Sequence, residues 1–260
     1  MKIVKCILFV ALLVLTLQNI AIADDDYMKF GITGGAMSYL HTSDKTDFSW
    51  DKGVSGNAGT PDKISQRNYS FPIGLVAEIK PVDFLVQTII IKMTYNDYSF
   101  ESTFFENKLI GLDGENETMM GYFSTVDQFD LSAISMDLQF NHYIVGDLNL
   151  ITGATIDYFI KNEIKRSYHV HEPELHTFRP EEGYKLENNG RTKVLKDKSE
   201  IEEFNKFQIG VNVGIRYDIE MSAIQISPYT NFTYYFTSLI SDPNLRFNKL
   251  NVGIDFMVKI

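Results

Sequence analysis

The chain has 260 residues, 44% of them hydrophobic and 13% aromatic, with a formal net charge of -10 at pH 7. That acidic balance argues against nucleic acid and against docking to anionic lipid through a basic patch. Its single cysteine, Cys6, excludes a disulfide framework, so stability has to come from elsewhere.

The N-terminus reads as a secretory signal. Lys2 and Lys5 supply positive charge, residues 7–17 are apolar apart from Thr16, and Ala21-Ile22-Ala23 is a small-x-small cleavage site. Gln18 and Asn19 interrupt the apolar run short of the roughly 20 residues that a spanning helix needs. Cleavage after Ala23 is expected, with residues 1–23 as signal peptide and 24–260 as one outer-membrane β-barrel domain. Cys6 precedes the apolar run, whereas a lipoprotein signal places its cysteine at the cleavage site. Loss of Lys2 and Lys5 takes the formal charge from -10 to -12.

Eight strand-like segments follow. Segment 28–40 carries Phe30, Ile32, Gly34, Ala36 and Leu40 on one face. Segment 69–80 sets Tyr69, Phe71, Ile73, Leu75, Ala77 and Ile79 against a mixed face that includes Glu78 and Lys80. Segment 84–98 sets Leu85, Ile89, Ile91, Met93 and Tyr95 against Thr88, Lys92, Thr94 and Asn96. In segment 128–143, Ile134, Met136, Leu138 and Phe140 oppose Ser135, Asp137, Gln139 and Asn141. Upstream, Phe129, Leu131 and Ala133 have the opposite parity, and one inserted residue near Ala133, a β-bulge, would bring both runs to one face.

Segment 148–160 alternates similarly. Segment 207–219 alternates without error: Phe207, Ile209, Val211, Val213, Ile215, Tyr217 and Ile219 are apolar, and polar residues or glycine lie between. Side chains alternate faces along a strand, so this segment has one apolar and one wet face. Segment 223–236 contains Pro228, which donates no ladder hydrogen bond and predicts an irregularity. Segment 250–260 closes the chain.

Connections alternate in length. They are short at 81–83, 144–147 and 220–222, and long at 41–68, 99–127, 161–206 and 237–249. This is the asymmetry of outer-membrane barrels, with short periplasmic turns and long extracellular loops. The predicted fold is therefore all-β: an eight-stranded antiparallel up-and-down transmembrane β-barrel. A soluble lipocalin-like binding barrel, with the apolar face inward, is the alternative fold. Within the third long loop, Asn188-Asn189-Gly190 predicts a hairpin turn, and Ser199 with Glu202 a capping box for a short helical turn. Gly53, Gly56 and Gly59 mark the first loop as flexible. Aromatics near segment ends predict two girdles: Tyr95, Tyr98, Phe100, Tyr158, Tyr234 and Phe236 at the outer rim, and Phe140, Tyr143, Tyr217 and Phe256 at the inner rim.

Residues 131–140, 150–158, 207–217 and 252–260 resemble the outer membrane protein β-barrel domain family of the Bacteroidetes, the PorT-like group. The resemblance spans the chain after the signal and rests on the order of segments. It implies an outer-membrane location and no single activity. Such barrels usually finish on an aromatic residue read by the insertion machinery, whereas this chain finishes on Ile260, and Phe256 is the nearest substitute.

The inward ionisable residues are expected to be Glu78, Lys80, Lys92, Asp137, Asp157, Arg216, Asp218, Asp255 and Lys259. The interior of an eight-stranded barrel is just wide enough for side chains to fill, so a packed salt-bridged plug is expected over an ion path. His169 and His171, with Glu172, Glu174 and His176, form the one metal-like cluster, in a charged loop interrupted by Pro173. His41 and His142 are placed near the rims, where an acyl-modifying enzyme would keep its histidine, but neither adjoins a nucleophile motif. No catalytic residue, cofactor or metal is assigned. The expected partners are the outer-membrane lipid bilayer, the barrel-insertion machinery and an unidentified extracellular or envelope protein. The expected role is structural or surface-interacting, with a narrow porin or a transport- or secretion-associated barrel as alternative.

Overall fold

The computed structural model describes residues 28–42, 69–80, 88–111, 118–172, 177–240 and 246–260. The predicted signal peptide at 1–23, residues 84–87 of the third predicted segment and the glycines at 53, 56 and 59 lie outside the described residues. The strands are β1 (Met28–Thr42), β2 (Tyr69–Ser70), β3 (Ile73–Ile79), β4 (Thr88–Gly111), β5 (Thr118–Val145), β6 (Leu148–Glu172), β7 (Lys185–Glu187), β8 (Thr192–Glu200), β9 (Phe207–Tyr217), β10 (Ile219–Met221), β11 (Ile224–Tyr235) and β12 (Arg246–Lys259).

Their pairings are antiparallel. The ladder runs β1–β3–β4–β5–β6–β9–β11–β12, and β12 returns to β1 from Lys29↔Lys259 to Thr42↔Arg246. Eight strands thus close a ring, which satisfies backbone N–H and C=O groups without help from solvent. Along β9, Ile209, Val211, Val213, Ile215 and Tyr217 are 45–50% exposed, while Gln208, Asn212 and Arg216 between them are at most 3% exposed. The outward apolar belt overturns the lipocalin-like alternative and fixes the fold as a transmembrane barrel of the outer-membrane type. β9 has the length expected of a tilted transmembrane strand, ~9–11 residues.

Pro228 interrupts pairing as its missing N–H requires. The neighbouring strand breaks at Asp218, with Arg216↔Tyr229 on one side and Ile219↔Ile226 on the other. Glycine at 253 makes room for an aromatic ring: an added Cβ would lie 2.6 Å from the hydroxyl of Tyr229, its cross-strand partner.

The long connections differ from expectation. Residues 99–127 are strand rather than loop over all their described length, since β4 and β5 stay paired from Thr88↔Asn141 to Gly111↔Thr118. Much of 161–206 is also strand. β6 continues to Glu172, β8 pairs with it, and β7 pairs with β8 across the Asn188–Gly190 turn. Asn188, Asn189 and Gly190 all have positive φ, as the turn signal predicted. The helical turn at Ser199 is absent because Ser199 is in β8, paired with Ile164.

The bulge near Ala133 falls on the partner strand. Ser132 faces Lys161 and Ala133 faces Phe159, leaving Ile160 of β6 as the extra residue. β5 therefore keeps its parity, and Phe129, Leu131 and Ala133 point inward in line with Ser135 and Asp137. The hydrophobic pattern inverts instead of the strand. Below this level the outside is lipid, so apolar residues face out; above it the outside is water, so they face in. On β4 the same change follows Tyr95, where Asp97 and Ser99 become the outward residues and Tyr98 and Phe100 are buried. The Ile160 bulge does this for β6, turning Ile164 inward and leaving Lys161, Glu163 and Lys165 on the wet side.

The inward apolar residues above the membrane form one cluster, including Tyr39, Tyr98, Phe100, Phe129, Leu131, Phe159, Ile164, Leu239 and Phe247. Phe100 stacks on Phe129 at 4.3 Å, and Tyr39 meets Tyr98 edge-on at 5.3 Å. Tyr98 and Phe100 thus belong to this core and not to the outer girdle. Tyr95, Tyr158, Tyr234 and Phe236 are exposed at that rim, and Tyr143, Tyr217 and Phe256 at the other.

Candidate functional site

Beneath the aromatic cluster the interior is ionic. Arg216 donates to Glu78 at 2.6 Å and to Ser227 at 3.0 Å, and its Nε lies 2.7 Å from Asp218. Lys29 bridges Glu78 at 3.4 Å and Glu220 at 2.7 Å. Lys92 sits 2.8 Å from Asp255 and 3.3 Å above the Tyr229 ring, whose edge rests on Gly253. Lys249 pairs with Asp157 at 2.5 Å, and Asp157 also accepts hydrogen bonds from Tyr235 at 2.8 Å and Tyr98 at 3.2 Å. Asp137 accepts from Thr155 at 2.6 Å, and Thr155 in turn accepts from Asn212 at 2.8 Å. Buried charges need such partners, because an unpaired ion in a low-dielectric interior is strongly penalised.

Six of the nine predicted inward groups are buried: Glu78, Lys92, Asp137, Asp157, Arg216 and Asp255. Asp218 is at the inner mouth, Lys259 pairs with Glu220 at 3.5 Å, and Lys80 is exposed outside the interior. Lys29 and Lys249 were not predicted. Lys249 falls in the segment read as loop, yet it lies on the inward parity of β12 with Asn251 and Asp255. The cavity in this layer holds about 10 Å³, lined by residues including Lys92, Asp137 and Lys249. A single water needs about that much, so this cavity holds no more than one.

Above the membrane, β4, β5 and β6 continue as a sheet, extended by β8 and β7. From Tyr95 to Gly111, at about 3.3 Å per residue and a tilt of ~40°, it rises roughly 40 Å. Arg166 fixes its base by a buried two-pronged pair with Asp127, Nε at 2.7 Å and Nη2 at 2.8 Å. These two are direct cross-strand neighbours. On one face Phe123 stacks on Tyr168 at 5.4 Å, Phe178 meets Tyr168 at a tilt at 5.5 Å, and Tyr168 donates to Glu106. On the other face an open cleft of about 390 Å³ is lined by Ser99, Glu101, Gln128, Asp130, Glu163, Lys165 and Lys198, with Phe100, Phe129 and Ile164 at its floor. Gln128 donates to Glu101 at 3.1 Å, and Lys161 pairs with Asp130.

Higher on that face lie the predicted histidines. Their rings are 6.5 Å apart. His171 bonds Ser124 at 2.7 Å; His169 bonds Ser167 at 2.8 Å and Thr192 at 3.0 Å. Both ring nitrogens of His169 and Nε2 of His171 are thus engaged by hydroxyls. His176 and Glu174 lie outside the described residues, and among the described residues no group of three His, Cys, Asp or Glu could hold a metal. His142 bonds Thr152 at 3.0 Å. The His41 side chain lies outside the described residues.

His169 joins β6 to β8 through its contact with Thr192. Burial lowers its pKa and the neighbouring His171 lowers it further, while Glu101 and Glu187 oppose and Lys165 reinforces the shift. A depressed folded value favours the neutral ring. Its stabilising contribution is therefore full above the unfolded value of about 6.5 and is lost as pH falls through the lower folded value. Relative to the intrinsic exchange rate at each pH, protection of β8 amides around Thr192 should fall on moving from pH 7.5 to 5, and a His169→Gln variant should flatten that response; an equal fall in both would show that His169 is not the cause.

No protein-family model matches the chain, and no curated protein matches it. Among solved structures it is similar to Neisserial surface protein A, at 12% identity over 89% of this chain and 97% of that one, with a TM-score of 0.35. Ail, the attachment invasion locus protein of Yersinia pestis, solved with the heparin analogue sucrose octasulfate, aligns at 8% identity over 89% and 99%, with a TM-score of 0.32. A Pseudomonas aeruginosa FadL homologue aligns at 7% identity over 92% and 91%, with a TM-score of 0.24.

Proposed function

We propose that this protein is an exported, non-catalytic outer-membrane barrel whose role is to present the β4–β8 sheet to partners outside the cell. One observation carries the reading: the barrel interior is filled, while three of its strands run on well beyond the apolar belt into a built, two-faced sheet. A conduit would invest its polar residues in a lumen; here they neutralise one another in the membrane layer, and the exposed variety lies on the sheet. The cleaved signal at residues 1–23, delivery by the barrel-insertion machinery with Phe256 as its aromatic cue, and kinship with the PorT-like group belong to the same proposal. The test is single-channel recording in planar bilayers, combined with protease treatment of intact cells. No current above baseline and cleavage within 177–200 are expected; stable conducting steps would favour the narrow porin.

A further inference from the structure

β3 flanks β4 only as far as Tyr95, opposite Ile73. Over 103–111 the described residues supply β4 with one neighbouring strand, β5. A strand edge of this kind presents a row of N–H and C=O groups ready to pair with another strand. The usual protections are weak here: the segment Thr103-Phe-Phe-Glu-Asn-Lys-Leu-Ile-Gly111 has no proline and one lysine.

The segment is also complementary to itself. Laid antiparallel on a second copy with Asn107 opposite Asn107, it sets Glu106 against Lys108 twice and Phe105 against Leu109 twice. Centring the pair on Glu106 or on Lys108 would instead oppose a like charge to itself. Opposite charges and apolar pairs directly across strands stabilise a ladder, and like charges destabilise it. Glu106 and Lys108 already lie 2.7 Å apart within one chain, on the same face of the strand, and Leu109 is 69% exposed.

We propose that residues 103–111 form a homophilic docking edge, occupied by the same edge of a second copy of this chain held in a facing membrane. The facing arrangement follows from symmetry. The two-fold axis of an antiparallel strand pair is perpendicular to the joined sheet, so it reverses the strand and with it the barrel axis. Two barrels with reversed axes cannot share one membrane with the same side out. Asn107 lies about 30 Å above the rim by strand rise and tilt, so the pair would hold two membranes on the order of 60 Å apart. The proposal rests on the surface-interaction reading above and names the partner.

Residues 24–260 contain no cysteine, which makes an introduced one diagnostic. Vesicles carrying the barrel with its sheet outward should cluster, and Asn107→Cys should form disulfide dimers between vesicles of different dye label. Glu106→Lys alone and Lys108→Glu alone should each slow clustering by about tenfold, since two cross-strand pairs turn repulsive. Vesicles of the two variants mixed together should cluster with each other, and the double variant should recover. The mixture guards against misfolding, because each variant's fold is the same whether mixed or alone; heat-modifiable migration checks it independently. Single reversals that cluster like the parent, or a mixture that stays dispersed, would overturn the proposal. So would an Asn107→Cys thiol shielded from maleimide without clustering, the sign that residues 43–68 of the same chain cover the edge. A silent barrel that does not cluster loses this proposal alone; a clustering barrel that conducts loses the earlier reading alone.

Discussion

Replacing Asp157 by alanine should destabilise the barrel by about 3–5 kcal/mol, the cost of leaving a buried ion without its counter-charge. Asp157 is fully buried and holds three groups at once: the Lys249 ammonium and the hydroxyls of Tyr98 and Tyr235. Without it Lys249 keeps a hydrogen bond to Ser135 at 3.2 Å and its position near the Tyr235 and Tyr98 rings, 5.2 and 5.5 Å away. Neither contact neutralises it. Urea unfolding in lipid vesicles would measure the loss. Adding Lys249→Met should return a large part of it, because removing both charges abolishes the desolvation debt along with the attraction. Additive losses from the two substitutions would mean that Asp157 and Lys249 are not coupled.

Val213→Arg should cost about 2–4 kcal/mol, because a guanidinium on the lipid face near the midplane has no water and no counter-ion within reach. Val213 is 50% exposed and sits between Thr152 and Phe232 on the neighbouring strands. Asn212→Ala, one residue away, removes a single buried hydrogen bond to Thr155 and should cost about 1 kcal/mol. Equal losses, measured in the same unfolding assay, would reverse the assignment of faces.

The membrane layer was legible because one rule governs it. Apolar and polar residues alternate with period two, and β9 obeys from Phe207 to Tyr217 without exception. Short turns such as 146–147 were equally readable from their neighbours. The projecting sheet is not legible by that rule because the rule changes sign at the bilayer surface. Phe129 and Leu131 looked like residues needing a bulge to reach the lipid face, when they had left the lipid altogether. A charge on the new outward face at each exit, Asp97 on β4 and Asp130 on β5, was the available signal. The candidate surface was harder still. Asp127 and Arg166 are far apart in sequence and follow no motif, and only the pairing of β5 with β6 brings them together. Lys249 escapes for a simpler reason: clean alternation marks the last strand only from Leu250, whereas β12 begins at Arg246.

The sign change has a mechanical consequence. Sliding the barrel outward would lift Met136, Ile156 and Val211 into water, and sliding it inward would drag Asp97, Asp130 and Lys161 into hydrocarbon. Both displacements are penalised within a residue or two, so the molecule carries its own waterline. In a bilayer thicker or thinner than the belt, hydrophobic mismatch would be relieved by tilting the barrel or deforming the lipid around it rather than by changing its depth. The height of the sheet above the membrane is then a fixed property of the chain.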